Sequence, residues 1–169
     1  MTRLYQQPIC LASALLVPWL TLAAPAWLKL SGVGPCWALL WLLPWALVDG
    51  PVSGLIAGLC LGLVLDGICL DGASHLPVLM ALGWWWGRLG RRAPPIKRSF
   101  NLGLLTWFGT ALLGLSLWIQ TLFIQFDSAT PWLQSWGWQS CLAQSFITGL
   151  VAPMIVSWQL LVWRRRARV

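Results

Sequence analysis

The groups in this chain that could move protons, bind metal or attack a substrate are few. There are four aspartates (Asp49, Asp66, Asp71 and Asp127), no glutamate, a single histidine (His75) and five cysteines (Cys10, Cys36, Cys60, Cys69 and Cys141). General acid–base chemistry needs titratable groups held within reach of one another. A zinc site needs three or four His, Cys or carboxylate ligands. His75 has no second histidine and no glutamate to join it. Asp71, His75 and Asp127 fall in polar stretches that could meet, yet a solvated loop is the expected setting for all three. The cysteines show no C-x-x-C spacing and read as small apolar filler.

Asp66 stands apart. It closes a stretch in which Gly50, Gly54, Gly58 and Gly62 recur every four residues among Leu55, Ile56, Leu59, Leu61, Leu63, Val64 and Leu65. Read as a helix, the stretch is a smooth stripe ending in a carboxylate. In water so many glycines weaken a helix. In lipid they let another helix approach, and backbone packing replaces the missing hydrophobic drive. The stripe suits close packing inside the chain or a groove for a partner's transmembrane helix, and both readings stand. A repeat of four drifts by ~40° per step on an ideal helix, so a helix crossing at about −40° could follow it. Asp66 itself is either structural, bonding loop N–H groups or capping the next helix, or an anchor for a partner.

These residues must be positioned by membrane-spanning helices. The chain is 59% hydrophobic and 9% charged, with a mean hydropathy of +0.75. A soluble domain is about 25% charged. Apolar runs cover residues 9–28, 36–48, 51–66, 76–87, 100–126 and 141–163, the first long enough to cross ~30 Å of hydrocarbon. Ala24-Pro25-Ala26 has the look of a signal-peptide cleavage site, but the long run before it is expected to stay as a span. Asp49 is expected to cap the helix that follows it, with Pro51 in its first turn. Residues 36–65 as one helix would be ~45 Å long, too long for a bilayer, so two short spans are the better reading. Trp37, Trp41 and Trp45 form one helical stripe, read as packing or lipid-facing.

Charge then sets orientation. Arg3, the basic loop Arg88, Arg91, Arg92, Lys97 and Arg98, and the tail Arg164–Arg168 should all lie on the cytoplasmic side. Six spans satisfy this, with only Lys29 on the wrong side. Both termini are then inside, and Asp66, Asp71, His75 and Asp127 are outside. The net charge of +7 reads as a topology signal that touches anionic membrane lipid. No basic folded domain exists to carry nucleic acid.

The run Gly58-Leu59-Cys60-Leu61-Gly62-Leu63-Val64-Leu65-Asp66, followed by a glycine-containing loop and another apolar run, resembles the rod shape-determining protein D family (MreD) of bacteria. That family's signature is a glycine-rich run ending in Gly-Leu-x-x-Asp, matched here by Gly62, Leu63 and Asp66. A Pro/Trp-rich short span precedes it, here Pro35-Cys36-Trp37 to Trp45. The close match covers roughly residues 35–92. Elsewhere only length, span number and the basic loop agree. Where the family often has Leu-Gly early in the next span, this chain reads Gly72-Ala73-Ser74-His75-Leu76.

The resemblance implies an all-α polytopic membrane protein. Its fold would be a compact six-transmembrane-helix bundle resembling the substrate-binding subunits of energy-coupling-factor vitamin transporters. It implies a non-catalytic inner-membrane scaffold of the complex that directs side-wall peptidoglycan synthesis. The implied partners are the bitopic protein MreC, with the MreB filament, RodA and a penicillin-binding transpeptidase. No cofactor is implied. The alternative is a substrate-binding subunit of a vitamin-type transporter. Those subunits commonly carry an Ala-x-x-x-Ala pair on the first span, which Ala12, Ala14, Ala23, Ala24 and Ala26 do not supply. An intramembrane enzyme ranks last, because the supply of titratable groups is thin.

Overall fold

The computed structural model describes residues 12–23, 33–68, 73–92, 99–124 and 132–166. They form six α-helices: α1 Leu16–Ala23, led by a 3-10 turn Ser13–Leu15, then α2 Trp37–Asp49, α3 Pro51–Ile68, α4 Leu76–Arg92, α5 Ser99–Ile124 and α6 Trp132–Arg166. Three segments are long and apolar enough to cross a membrane: Pro51–Ile68, Asn101–Thr121 and Gly137–Trp163.

Two expected boundaries are corrected. Arg88, Arg91 and Arg92 do not begin a loop; they form the last turns of α4. Arginine is a good helix former, and cations suit the negative end of a helix. The polar stretch 127–137 is not all loop either, because α6 starts at Trp132 and runs 35 residues, about 52 Å. Pro131 immediately precedes it, a residue type suited to a helix start. Three of the tail arginines, 164–166, continue the same helix. Lys97, Arg98, Asp71, Asp127, Cys10 and Cys69 lie outside the described residues.

The hydrophobic centre is α2. It has 13 residues and is about 20 Å long. Ala38 through Ala46 are all buried, and the helix touches each of the other five. A helix apolar on every side belongs in a core. Its tryptophan stripe is packing. Trp41 and Trp45 stack with ring centroids 4.8 Å apart, and Trp163 of α6 meets both edge-on. Their ring N–H groups are bonded as well, Trp41 to the Ser13 hydroxyl of the first turn at 2.8 Å and Trp45 to the Ser53 hydroxyl of α3 at 3.0 Å.

The first residues of α2 lie inside the protein. Pro35 and Cys36 are non-helical and buried. The Cys36 N–H donates to Thr148 Oγ1 of α6 at 3.0 Å. The Thr148 hydroxyl in turn donates to the Gln144 carbonyl at 2.6 Å. Thr148 is ~16 Å and ~22 Å along the helix from the two ends of the α6 apolar segment. Non-helical backbone at that depth is tolerable only when protein groups satisfy it, and the threonine does so.

Helices α3 and α4 form an antiparallel hairpin seamed by small residues. Gly54, Gly58 and Gly62 are buried against α4, while Val52, Ile56, Cys60, Leu63 and Val64 point outward. A Cβ on Gly54 would strike the Gly83 carbonyl, and one on Gly58 the Leu79 carbonyl. A Cβ on Gly62 would come within 2.7 Å of the Leu76 Cα. The seam is reciprocal. Gly83 lies on Gly54 and Gly87 on Pro51, and one turn further Gly90 lies on Leu47 of α2. So α4 follows the stripe along its whole length and fills the groove that a partner's helix could have used.

Helices α5 and α6 form the second close pair. Gly103 faces the Gly149 carbonyl, Gly114 faces Cys141, and Gly137 faces Trp118. Buried Thr106, Ser145 and Thr148 bond the carbonyl one turn back, so their hydroxyls leave no unmet donor. Trp86 of α4 is fully buried and lies over Gly109 of α5, joining the two pairs.

Thermal unfolding of purified protein in a mild detergent checks this packing. Gly58→Ala should lose about 1–3 kcal/mol, because helix backbones must separate. Gly67→Ala, with nothing within 4 Å of its Cβ, should be neutral or gain up to about 1 kcal/mol. Equal effects would contradict the seam. Thr148→Val orphans the Cys36 N–H and should cost about 1–3 kcal/mol, whereas Thr148→Ser should keep most of that.

Candidate functional site

Asp66 lies one residue short of the last two of α3 and reaches across to the start of α4. Its Oδ1 accepts the His75 backbone N–H at 2.7 Å and the His75 ring Nδ1 at 2.8 Å. Its Oδ2 accepts from the Ser74 hydroxyl at 2.6 Å. The Leu79 N–H bonds to the His75 carbonyl, so His75 occupies the N-cap position of α4. The Ser74 Oγ also accepts from the Leu76 N–H at 3.3 Å. The first N–H groups of a helix have no intrahelical partner. Here a carboxylate from the neighbouring helix and a local serine supply partners, and the negative charge faces the positive end of α4.

Helix α5 completes the site through Gln120. Its Oε1 accepts the Ser74 N–H at 2.7 Å, and its Nε2 donates to the Ser74 carbonyl at 3.0 Å and to Ser116 Oγ at 3.2 Å. The amide thus clasps both backbone groups of one loop residue. The side chains of His75 and Asp66 are 17% and 25% exposed, so this polar cluster is neither deep nor solvated. The expected solvated loop is corrected for His75. The sequence reading missed Ser74, Gln120 and Ser116. A polar residue late in an apolar run was the available signal for Gln120.

Ser, His and Asp are all present, but the geometry is not that of a nucleophilic triad. In a triad the imidazole lies between serine and carboxylate and takes the serine proton. Here the Ser74 hydroxyl donates directly to Asp66, and His75 turns its Nδ1 to the same carboxylate. A carboxylate only accepts, so Nδ1 is the donor in this contact, and the group that takes the Ser74 hydroxyl bond is the carboxylate, not the imidazole. Among the described residues, no group of three or more His, Cys, Asp or Glu side chains could hold a metal. The arrangement clamps the α3–α4 connection.

The other sequence-selected residues fall at the far end of the hairpin or on its seam. Gly50, not Asp49, is the N-cap residue of α3: its carbonyl accepts the Gly54 N–H at 2.9 Å, and its own N–H bonds back to Ala46. Its φ of +106° is a region that glycine adopts readily and L side chains rarely do. The Arg91 guanidinium lies where a side chain on Gly50 would go, 3.1 Å from such a Cβ. Arg88 stacks over Trp84, 4.7 Å from the ring centroid. Of the motif Gly62, Leu63 and Asp66, the first is buried on the seam, the second points outward and the third forms the clamp. Cations and carboxylate therefore occupy opposite ends of the hairpin, ~24 Å apart along α3.

Comparison of the chain with family models, with curated proteins and with solved structures returns no match.

Asp66→Ala leaves the His75 N–H and the Ser74 hydroxyl without an acceptor. It should cost about 2 kcal/mol in thermal unfolding. Asp66→Asn keeps an acceptor and should cost less. Gln120→Leu should also destabilise, and less than additively with Asp66→Ala, because both hold Ser74. Full additivity would mean that the two do not share one clamp.

Proposed function

We propose that the chain is a non-catalytic scaffold subunit of the bacterial rod-shape complex, a six-span protein of the inner membrane with both termini in the cytoplasm. The observation that carries this reading is the use made of Asp66. The carboxylate that closes the MreD-like run is bound up in a helix cap, so its work is to fix the shape of the bundle. A body whose one described carboxylate–histidine cluster is committed to fixing its own helix ends suits a scaffold that presents fixed surfaces to partners.

Orientation has its own support. Arg88 and Arg91 lie at the opposite end of the hairpin from Asp66, and positive charge favours the cytoplasmic face. With α4 seated on the glycine stripe, an MreC-like bitopic partner would dock elsewhere on the bundle. The outward faces of α3, α5 and α6 are available, through residues such as Ile56, Leu104 and Leu150.

Two experiments test the reading. Topology reporters fused after residues 95 and 169 should report the cytoplasm, and one after residue 128 the outer side. Reporters at 95 and 169 on opposite sides would sink the six-span arrangement. Photo-crosslinkers at Ile56, Leu63, Leu104 and Leu150 in cells should capture an MreC-like protein from at least one face, and depletion should round the cells. No capture from any face, together with unchanged cell width on depletion, would overturn the scaffold role.

A further inference from the structure

A cavity of about 390 Å³ opens between α1, α2 and α6, at the half of the bundle that carries the tail arginines. Leu16 and Leu20 form one wall, Leu40 and Trp41 the back, and Ile155 and Val162 the other wall. Most of its lining is apolar; Ser13, Gln159 and the ring N–H groups of its tryptophans are the polar exceptions, and the buried Trp37 Nε1 and Gln159 Oε1 have no partner among the described residues. The rim is open: Leu16 is 55% exposed and Trp158 of the same lining is 69% exposed. Trp163 also lines the cavity, and α6 runs on into three arginines at 164–166.

Extent decides between occupants. The α6 wall of the cavity runs only from Ile155 to Trp163, about 12 Å along the axis. That is far short of the ~30 Å groove that a transmembrane helix would need. A hydrocarbon chain is thinner, and apolar walls suit it. Residues 164–166 lie within ~5 Å of Trp163 along the axis, and arginine pairs with phosphate in planar, charge-assisted hydrogen bonds.

We propose that this cavity holds one acyl chain of an anionic phospholipid, whose phosphate lies at the level of arginines 164–166. The lipid fills the wedge between the short α1 and α6 and forms part of the surface of the bundle. The site requires that the chain lie in a bilayer; it does not depend on the scaffold reading.

Native mass spectrometry of full-length protein in a mild detergent tests the site, with phosphatidylglycerol and phosphatidylethanolamine of equal chain length added in turn. The expected result is one retained phosphatidylglycerol per chain, held several-fold better than phosphatidylethanolamine. Leu20→Trp adds bulk inside the cavity and should reduce retention several-fold. Leu16→Trp obstructs the exposed rim, where added bulk does not threaten folding, and should reduce retention several-fold. Replacing Arg164, Arg165 and Arg166 together by Gln should bring phosphatidylglycerol down to the level of phosphatidylethanolamine. No retained lipid, or retention unchanged in both tryptophan variants with normal thermal midpoints, overturns the site. A preference for phosphatidylglycerol that survives the triple change overturns the headgroup assignment.

Discussion

Helices surrounded by lipid gain little from hiding apolar side chains, because the surroundings are equally apolar. Close backbone approach is therefore the constraint on which this bundle depends. It is met along the α3–α4 seam, where Gly54, Gly58 and Gly62 meet Gly83, Leu79 and Leu76. The pattern across α3 is one of size, not polarity. On the side facing α4 the residues are Gly54, Gly58 and Gly62, whereas Val52, Ile56, Leu63 and Val64 turn outward and Leu61 and Leu65 are buried in the core. Once this hairpin closes, Asp66 comes to the start of α4 and Arg91 comes to Gly50. Both contacts follow from the seam, since neither pair is close in sequence.

The second constraint is that buried backbone N–H groups must find acceptors. A short central helix raises that demand, because its first turn lies within the protein. Thr148 answers it for α2, and Asp66 with Ser74 answers it for α4. Thr148 and Asp66 come from adjacent helices, so each bond that satisfies a helix start also ties two helices together. Gln120 extends the second tie to α5. These polar side chains thus hold backbone first, and Trp41, Trp45 and Trp163 pack α2 against α6.

Some of this was legible in the sequence. The α3 stripe repeats a single residue type at a fixed interval, so its period stands out. Its partner on α4 does not, because Gly83 and Gly87 are interleaved with Trp84, Trp85, Trp86 and arginine. The α5–α6 contact is spread over Gly103, Gly114 and hydroxyl residues at mixed intervals and was not found. Helix ends were misjudged where hydropathy was the guide. Hydropathy marks where lipid gives way to water, whereas hydrogen bonding marks where a helix stops. Arg88 and Trp132 lie between those two limits. The partner of His75 could not be read, because its nine-residue separation from Asp66 closes only when the hairpin forms.

The occupied seam alters what a partner can recognise. Transmembrane helices prefer one another over lipid where small residues let backbones touch or where polar groups bond across the interface. On α3 the buried seam has used the first device at Gly54, Gly58 and Gly62. The outward faces of α3, α5 and α6 carry large apolar side chains such as Ile56, Leu104, Leu150 and Met154, which an acyl chain contacts nearly as well as another helix does. Preference for a protein partner must then come chiefly from the ends of the bundle. There the clamp around Asp66 fixes one surface and the arginines of α4 and α6 mark the other. A bundle built this way offers distinctive shape and charge at its two ends, with large apolar side chains along the sides between them.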